Sequence, residues 1–161
     1  MTPTTSHRRR PATLSAEARG MRLRLARLDQ DQADLERARD LLRQGRALAA
    51  ADPREAFELV HRAALRGAGV LVARANRERR RKLPLNVWTA LGRLGGEDAE
   101  RAESLAPLVA ERMRLDRDAS ALPDAQLLRR HLEDTERHLD RVARQLVEDL
   151  PTPLTDLTAP R

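Results

Sequence analysis

Three groups of residues in this 161-residue chain have the types and spacing to do chemistry. The first is the run RANRERRRK, where Arg74, Arg77, Arg79, Arg80, Arg81 and Lys82 place six cations in nine positions. Such a cluster can neutralise nucleic-acid phosphates, which positions a strand without reading its sequence. The same cations at a helix C-terminus would also complement the helix dipole. The second group is Arg54 with His61, on nearly the same face of one helix. A histidine within an apolar stripe has a plainer reading, as a buried and hydrogen-bonded core residue. The third is HLEDTERH, in which His131, Asp134 and His138 are three and four residues apart and share a helical face. These types can ligate a metal. A fourth ligand would have to come from another helix and matches this short arise freely, so no metal or other cofactor is expected.

Other chemistries fail on composition. Cysteine is absent, which removes disulfides, thiolate catalysis and zinc–sulfur sites. RGAGVLV lacks the third glycine of a dinucleotide fingerprint, GRLGGED lacks the Lys-Ser/Thr of a phosphate loop, and no serine sits in a nucleophile elbow. No window approaches the ~20 apolar residues that span a bilayer, and no apolar run follows the basic N-terminus, so a cytoplasmic protein without a membrane partner is expected. Net charge is +6, divided unevenly: residues 1–86 carry 20 basic and 10 acidic side chains, and residues 87–161 carry 11 and 15. Basic chains often meet nucleic acid. With thirty Arg and one Lys beside abundant Ala and Leu, the arginines also fit a composition bias in which they only solvate the surface.

The elements that must position these residues are helices. Apolar residues are mostly Leu, Ala and Val, with one Phe, one Trp, and no Tyr or Ile, a composition suited to helix–helix interfaces. The class is therefore all-α. Ser15 can cap a first helix running toward Ala51, where Met21, Leu25, Leu28, Gln32, Leu35, Arg39 and Leu42 form a seam with steps of four and three. Gln32, Arg39 and the acidic DQDQADLE predict a break there. Asp52-Pro53 starts a second helix that carries Phe57, Val60, His61, Ala64, Leu71 and Val72 on one face, and that should continue through the arginines to stop before Pro84. Gly67 and Gly69 within it suggest a close helix crossing. A short helix at Trp88, a fourth interrupted at Pro107, and a last one with Leu128, Leu132, Thr135, Leu139, Val142 and Leu146 in heptad steps complete the set.

With the helices placed, the segment from LLRQGRALAAADPREAFELVHRAALRGAGVLVAR through the basic linker to VWTALGRLGG resembles the HEPN superfamily, within it a small branch found in actinobacterial proteins. DAQLLRRHLEDTERHLDRV fits the last helix of that pattern. The resemblance covers roughly residues 36–149. It implies an up-and-down bundle of four to five helices, often a homodimer, acting on RNA or nucleotides in stress, defence or toxin–antitoxin settings. Cleaving members carry Arg, four to six residues, then His; Arg54 and His61 alone meet that spacing here. Glu55 stands where a polar residue, often Asn, is usual, and the pair lies earlier in the fold than the nuclease motif, so a bundle without catalysis is expected.

The resulting expectations are a disordered basic arm over residues 1–14, a helical extension over 15–35, a HEPN-like bundle over 36–149 and a disordered Pro-rich tail over 150–161. Phe57, Val60, Ala64, Leu71, Trp88, Leu128, Leu132, Leu139 and Val142 should be core. The expected function is a non-catalytic RNA or nucleotide-binding module. A helical protein–protein adaptor and a metal-independent ribonuclease are the alternatives.

Overall fold

Helix boundaries follow local capping chemistry closely. In a computed structural model, which describes residues 15–150, Ser15 accepts the Ala18 amide at 3.2 Å and opens α1 (Ala16–Leu48). Asp52 accepts the Glu55 amide at 3.0 Å and Pro53 occupies the first turn of α2 (Pro53–Glu78). Asn86 caps α3 (Val87–Gly92) through the Thr89 amide. Gly95 and Gly96 follow with positive φ, a backbone that favours glycine, and lead into α4 (Gly96–Ser104). Pro107 permits a break at Leu105, after which α5 (Ala106–Arg117) continues the same stretch. Asp124 caps α6 (Ala125–Glu148) through the Leu127 amide. The fold is all-α, and no strand occurs among the described residues. The arm 1–14 and residues 151–161 of the tail lie outside those residues.

Side-chain pairings fix the topology. Gly45 of α1 meets Val60 of α2, and Asp31 meets Arg77, so α1 and α2 are antiparallel. Arg112 pairs with Glu58 and Arg54 reaches Leu115, which sets α5 antiparallel to α2. Gly67 packs on Leu139 while Arg74 pairs with Asp149, so α6 runs parallel to α2. The order is up, down, up, down, with α4 and α5 as one arm.

The α1 seam differs from its expected register. Helix α1 passes unbroken through the acidic segment, and its buried face is Asp31, Leu35, Ala38, Leu42 and Gly45. Gln32 is exposed and Arg39 half-buried, because the seam runs through their neighbours Asp31 and Ala38. A buried carboxylate is tolerable there because Arg77 meets it with two hydrogen bonds, 2.7 and 2.6 Å. The boundary expected at residue 36 falls inside this helix.

Gly45 and Gly67 mark the two tight crossings. A Cβ on Gly45 would stand 2.8 Å from Val60 Cγ2, and one on Gly67 would fall on the Leu139 side chain. Gly69 has open space around it, so the close-crossing explanation holds for Gly67 and fails for Gly69.

One apolar cluster joins Leu35, Leu42, Val60, Leu71, Leu139 and Val142 between α1, α2 and α6. A second joins Phe57, Ala64, Leu105, Leu108, Leu115 and Leu128 around α5. Trp88 and Leu132, expected as core, are half-buried and touch both clusters.

Candidate nucleic-acid interface

The six-cation run is split by the end of α2. The helix stops at Glu78, four residues short of Lys82, with Arg79 extended at its cap. The Asn76 side chain accepts the Leu83 amide at 2.8 Å, and Lys82 donates to the Asn76 carbonyl, so the chain turns back before Pro84. Leu83, buried against Val72 and Ala90, anchors that return. The side-chain amide thus replaces helical hydrogen bonds that the periodicity alone would extend.

Arg74 and Arg77 face inward from the last turns of α2. Both meet Asp31, and Arg74 also pairs with Asp149 at the end of α6. Burial lowers the Arg74 guanidinium from its ordinary pKa, whereas the hydrogen bonds to Asp31 raise that of Arg77. These two residues organise the end of the bundle. By contrast, Arg79, Arg80 and Arg81 are exposed, and none has an acidic partner among the described residues.

Helix α1 extends this surface. Asp31 is level with Arg77, so the residues before Arg27 continue past the last turn of α2. Arg19, Arg22, Arg24 and Arg27 are all exposed there, without an ion pair among the described residues. Arg24, Arg27, Arg74 and Arg77 line one cleft of about 640 Å³ between α1, α2 and the end of α6, with Leu28 and Leu71 in its wall. The cleft itself is of mixed charge: Asp31, Asp98 and Asp149 are paired with arginines, and Glu78 and Glu148 are exposed without an ion pair among the described residues. Sequence reading located the α2 half of this surface and missed the α1 half, because the juxtaposition depends on the hairpin register.

Arg54 and His61 point to different places. Arg54 donates to the carbonyls of Leu115, Asp118 and Ala121 at 2.5, 2.9 and 3.1 Å, closing the C-terminus of α5. His61 is only 3% exposed, with Trp88 at its edge 5.9 Å away between centroids and His131 at 6.0 Å. Burial lowers its pKa. The structure brings neither residue to a surface where a phosphate could reach both.

His131 and His138 are both buried. His131 packs 5.3 Å from the Phe57 ring and shares a 3.2 Å hydrogen bond with the Thr135 hydroxyl. Burial, with Arg101 nearby, pushes each imidazole down to about 3. Asp134 instead pairs with Arg137. Among the described residues, no three His, Asp or Glu side chains converge to hold a metal. Arg101 of α4 joins this buried group and had no sequence signal. The signal for the group as a whole was Thr135, a polar residue within the α6 leucine stripe.

Comparison with known families gives one result. The profile of the SAV_6107-like HEPN family matches residues 47–143. No match was found among curated proteins or among solved structures. The matched span includes the Arg79–Lys82 turn and the buried histidines, and it begins near the end of α1.

Proposed function

Because the chain belongs to the SAV_6107-like HEPN family, we propose that it is a non-catalytic RNA-binding module that grips phosphates at its basic end. The observation that supports this most is the exposed, unpaired trio Arg79, Arg80 and Arg81 past the end of α2, with Arg24 and Arg27 equally unpaired on α1. Without carboxylate partners these three are free to take phosphates. The apolar residues near the cleft are aliphatic, and Trp88 packs against both cores, so no ring offers a stacking platform for bases. Contacts of this kind favour the backbone over any particular sequence. Free nucleotides would therefore bind far more weakly than a strand.

Arg54, committed to three carbonyls, and His61, buried beside Trp88, favour binding without cleavage. A homodimer, as expected for this superfamily, would double the surface and raise affinity by avidity. Met21, Leu25 and Leu28 continue the α1 stripe beyond Asp31 and are half-exposed, which makes the α1 overhang the face for that contact.

Fluorescence anisotropy with a labelled single-stranded RNA tests the reading. Affinity should fall with salt with a log–log slope of about −0.7 per phosphate contact, and Arg79→Gln/Arg80→Gln/Arg81→Gln should flatten that slope by about 2. No binding at low salt, or a triple variant that binds like the parent, would overturn it and leave the adaptor reading. RNA cleavage in EDTA that disappears in a folded His61→Ala protein would replace it with the ribonuclease reading.

A further inference from the structure

Arg101 lies 8% exposed between α4 and α6 without a carboxylate in ion-pair range. One terminal nitrogen donates to the Thr135 hydroxyl at 3.2 Å. Its Nε and Nη1, which carry three N–H donors between them, have no partner. His138, 4% exposed, has neither ring nitrogen partnered. Burying a guanidinium without a counter-charge is costly, and each orphan donor adds to the cost. Burial brings Arg101 down to about 10; Asp134 nearby favours its charge, and the neighbouring Arg137 and Arg141 oppose it.

Both residues line a groove of about 390 Å³ between α4 and α6. Of the acids of that groove, Asp134 and Glu97 are engaged by other cations, while Glu100 is exposed and has no ion pair among the described residues. Asp134 pairs with Arg137, while Glu97 and the nearby Asp98 pair with Arg141. Arg144, on the rim, is exposed and has no partner among the described residues. The groove therefore holds one buried and one peripheral cation without an ion-pair partner among the described residues, next to a neutral imidazole able to donate one hydrogen bond and accept another.

We infer that the α4–α6 groove is a site for a phosphate-type oxyanion, held by Arg101 and His138 from below and by Arg144 at the rim. A tetrahedral oxyanion supplies a countercharge and several directed acceptors at once, whereas a single water supplies no charge. The groove has room for more than the anion, so inorganic phosphate and the phosphate of an organic monoester share this chemistry. This site is separate from the basic end of α1 and α2.

The test is thermal unfolding and calorimetric titration of the full chain with inorganic phosphate, ribose 5-phosphate and, at matched ionic strength, sodium chloride. Saturable stabilisation by either phosphate and none by chloride is expected. Arg144→Gln, a surface change, should weaken phosphate binding about tenfold, as should Arg101→Gln if it folds. A stronger response to ribose 5-phosphate identifies the monoester as the source, and equal responses identify the free anion. The Arg79→Gln/Arg80→Gln/Arg81→Gln protein should keep the phosphate response in full, which separates this site from the RNA surface. Equal effects of phosphate and chloride, or an Arg144→Gln protein that binds phosphate like the parent, would overturn the assignment.

Discussion

The two ends of this bundle treat arginine in opposite ways. Where α1 meets α2, a buried carboxylate, Asp31, receives Arg77 through two hydrogen bonds, and every other cation nearby either joins it or stands in water. Between α4 and α6 a buried guanidinium, Arg101, meets only a hydroxyl, among imidazoles that burial keeps neutral. The first region is electrostatically complete within the chain and has charge to spare on its surface. The second is incomplete within the chain. Charge that is free because it is exposed can recruit a polymer through many weak contacts, while charge that is free because it is buried can recruit one small partner tightly.

The largest expected effect breaks the comparison on the buried side. His131 and His138 are held at about 3 in the folded protein, against 6.5 as the ordinary value. Their folded pKa values are depressed, so between pH 6.5 and 3 the unfolded chain binds more protons. Stability should be complete above pH 6.5 and fall as pH drops through that window. At pH 5 each imidazole should cost about 2 kcal/mol, or about 4 kcal/mol together. Glu111, held at about 2 by its hydrogen bonds with Arg114 and the Asp124 amide, begins to add its own loss only below its ordinary 4.5. Comparing pH 7 with pH 5 therefore isolates the histidines. Urea unfolding at the two pH values measures the difference, and a change under about 1 kcal/mol would mean that these rings are not neutral core residues.

The next effect is on the other side. Asp31→Asn keeps the shape of the side chain but leaves Arg74 and Arg77 facing a neutral amide. Breaking a fully buried pair costs about 3–5 kcal/mol; here Arg77 can swing to water, so about 2–3 kcal/mol is expected. The Asp31→Asn/Arg77→Met double variant should recover a large part of that loss, because no charge then lacks a partner. A single variant as stable as the parent would show that the basic end is not organised by this carboxylate.

The same contrast explains what the sequence could and could not disclose. The helices were legible from Ser15, Asp52-Pro53 and Asn86, since capping and proline act over three or four residues. The α6 stripe was legible for the same reason, being periodic and local. The α1 seam was displaced by one position, because Gln32 and Arg39 complete an apparent heptad whereas the real one needs Asp31. Nothing local marks an aspartate as buried when its partner lies 46 residues later. Arg101 was invisible for a related reason: its burial comes from the α4–α5 arm folding onto α6, and α4 itself reads as a charged surface helix. His61 was legible as a buried histidine within the α2 stripe, although its Nδ1 finds no hydrogen bond, whereas the burial of His138 depends on packing that its spacing does not disclose. Long-range electrostatics, in short supply as sequence signal, determined both candidate sites.

The smallest expected effect concerns Arg79, Arg80 and Arg81, and it sharpens the comparison most directly. Replacing all three by Gln should alter unfolding stability by no more than about 0.5 kcal/mol at moderate salt. They lie beyond the last turn of α2 and lack partners among the described residues, and exposed charges of this kind contribute about 0–1 kcal/mol. Arg79, at the cap, has the only favourable term, a dipole interaction of a few tenths of a kcal/mol that salt screens. Removing three adjacent positive charges also relieves the repulsion among them, which offsets that loss. A thermal melt of the triple variant beside the parent checks this. A loss above about 1 kcal/mol would show that the run packs on the bundle as a structural strap. It would then belong with Arg74 and Arg77, inside the fold, and would no longer count as surface free to take a phosphate.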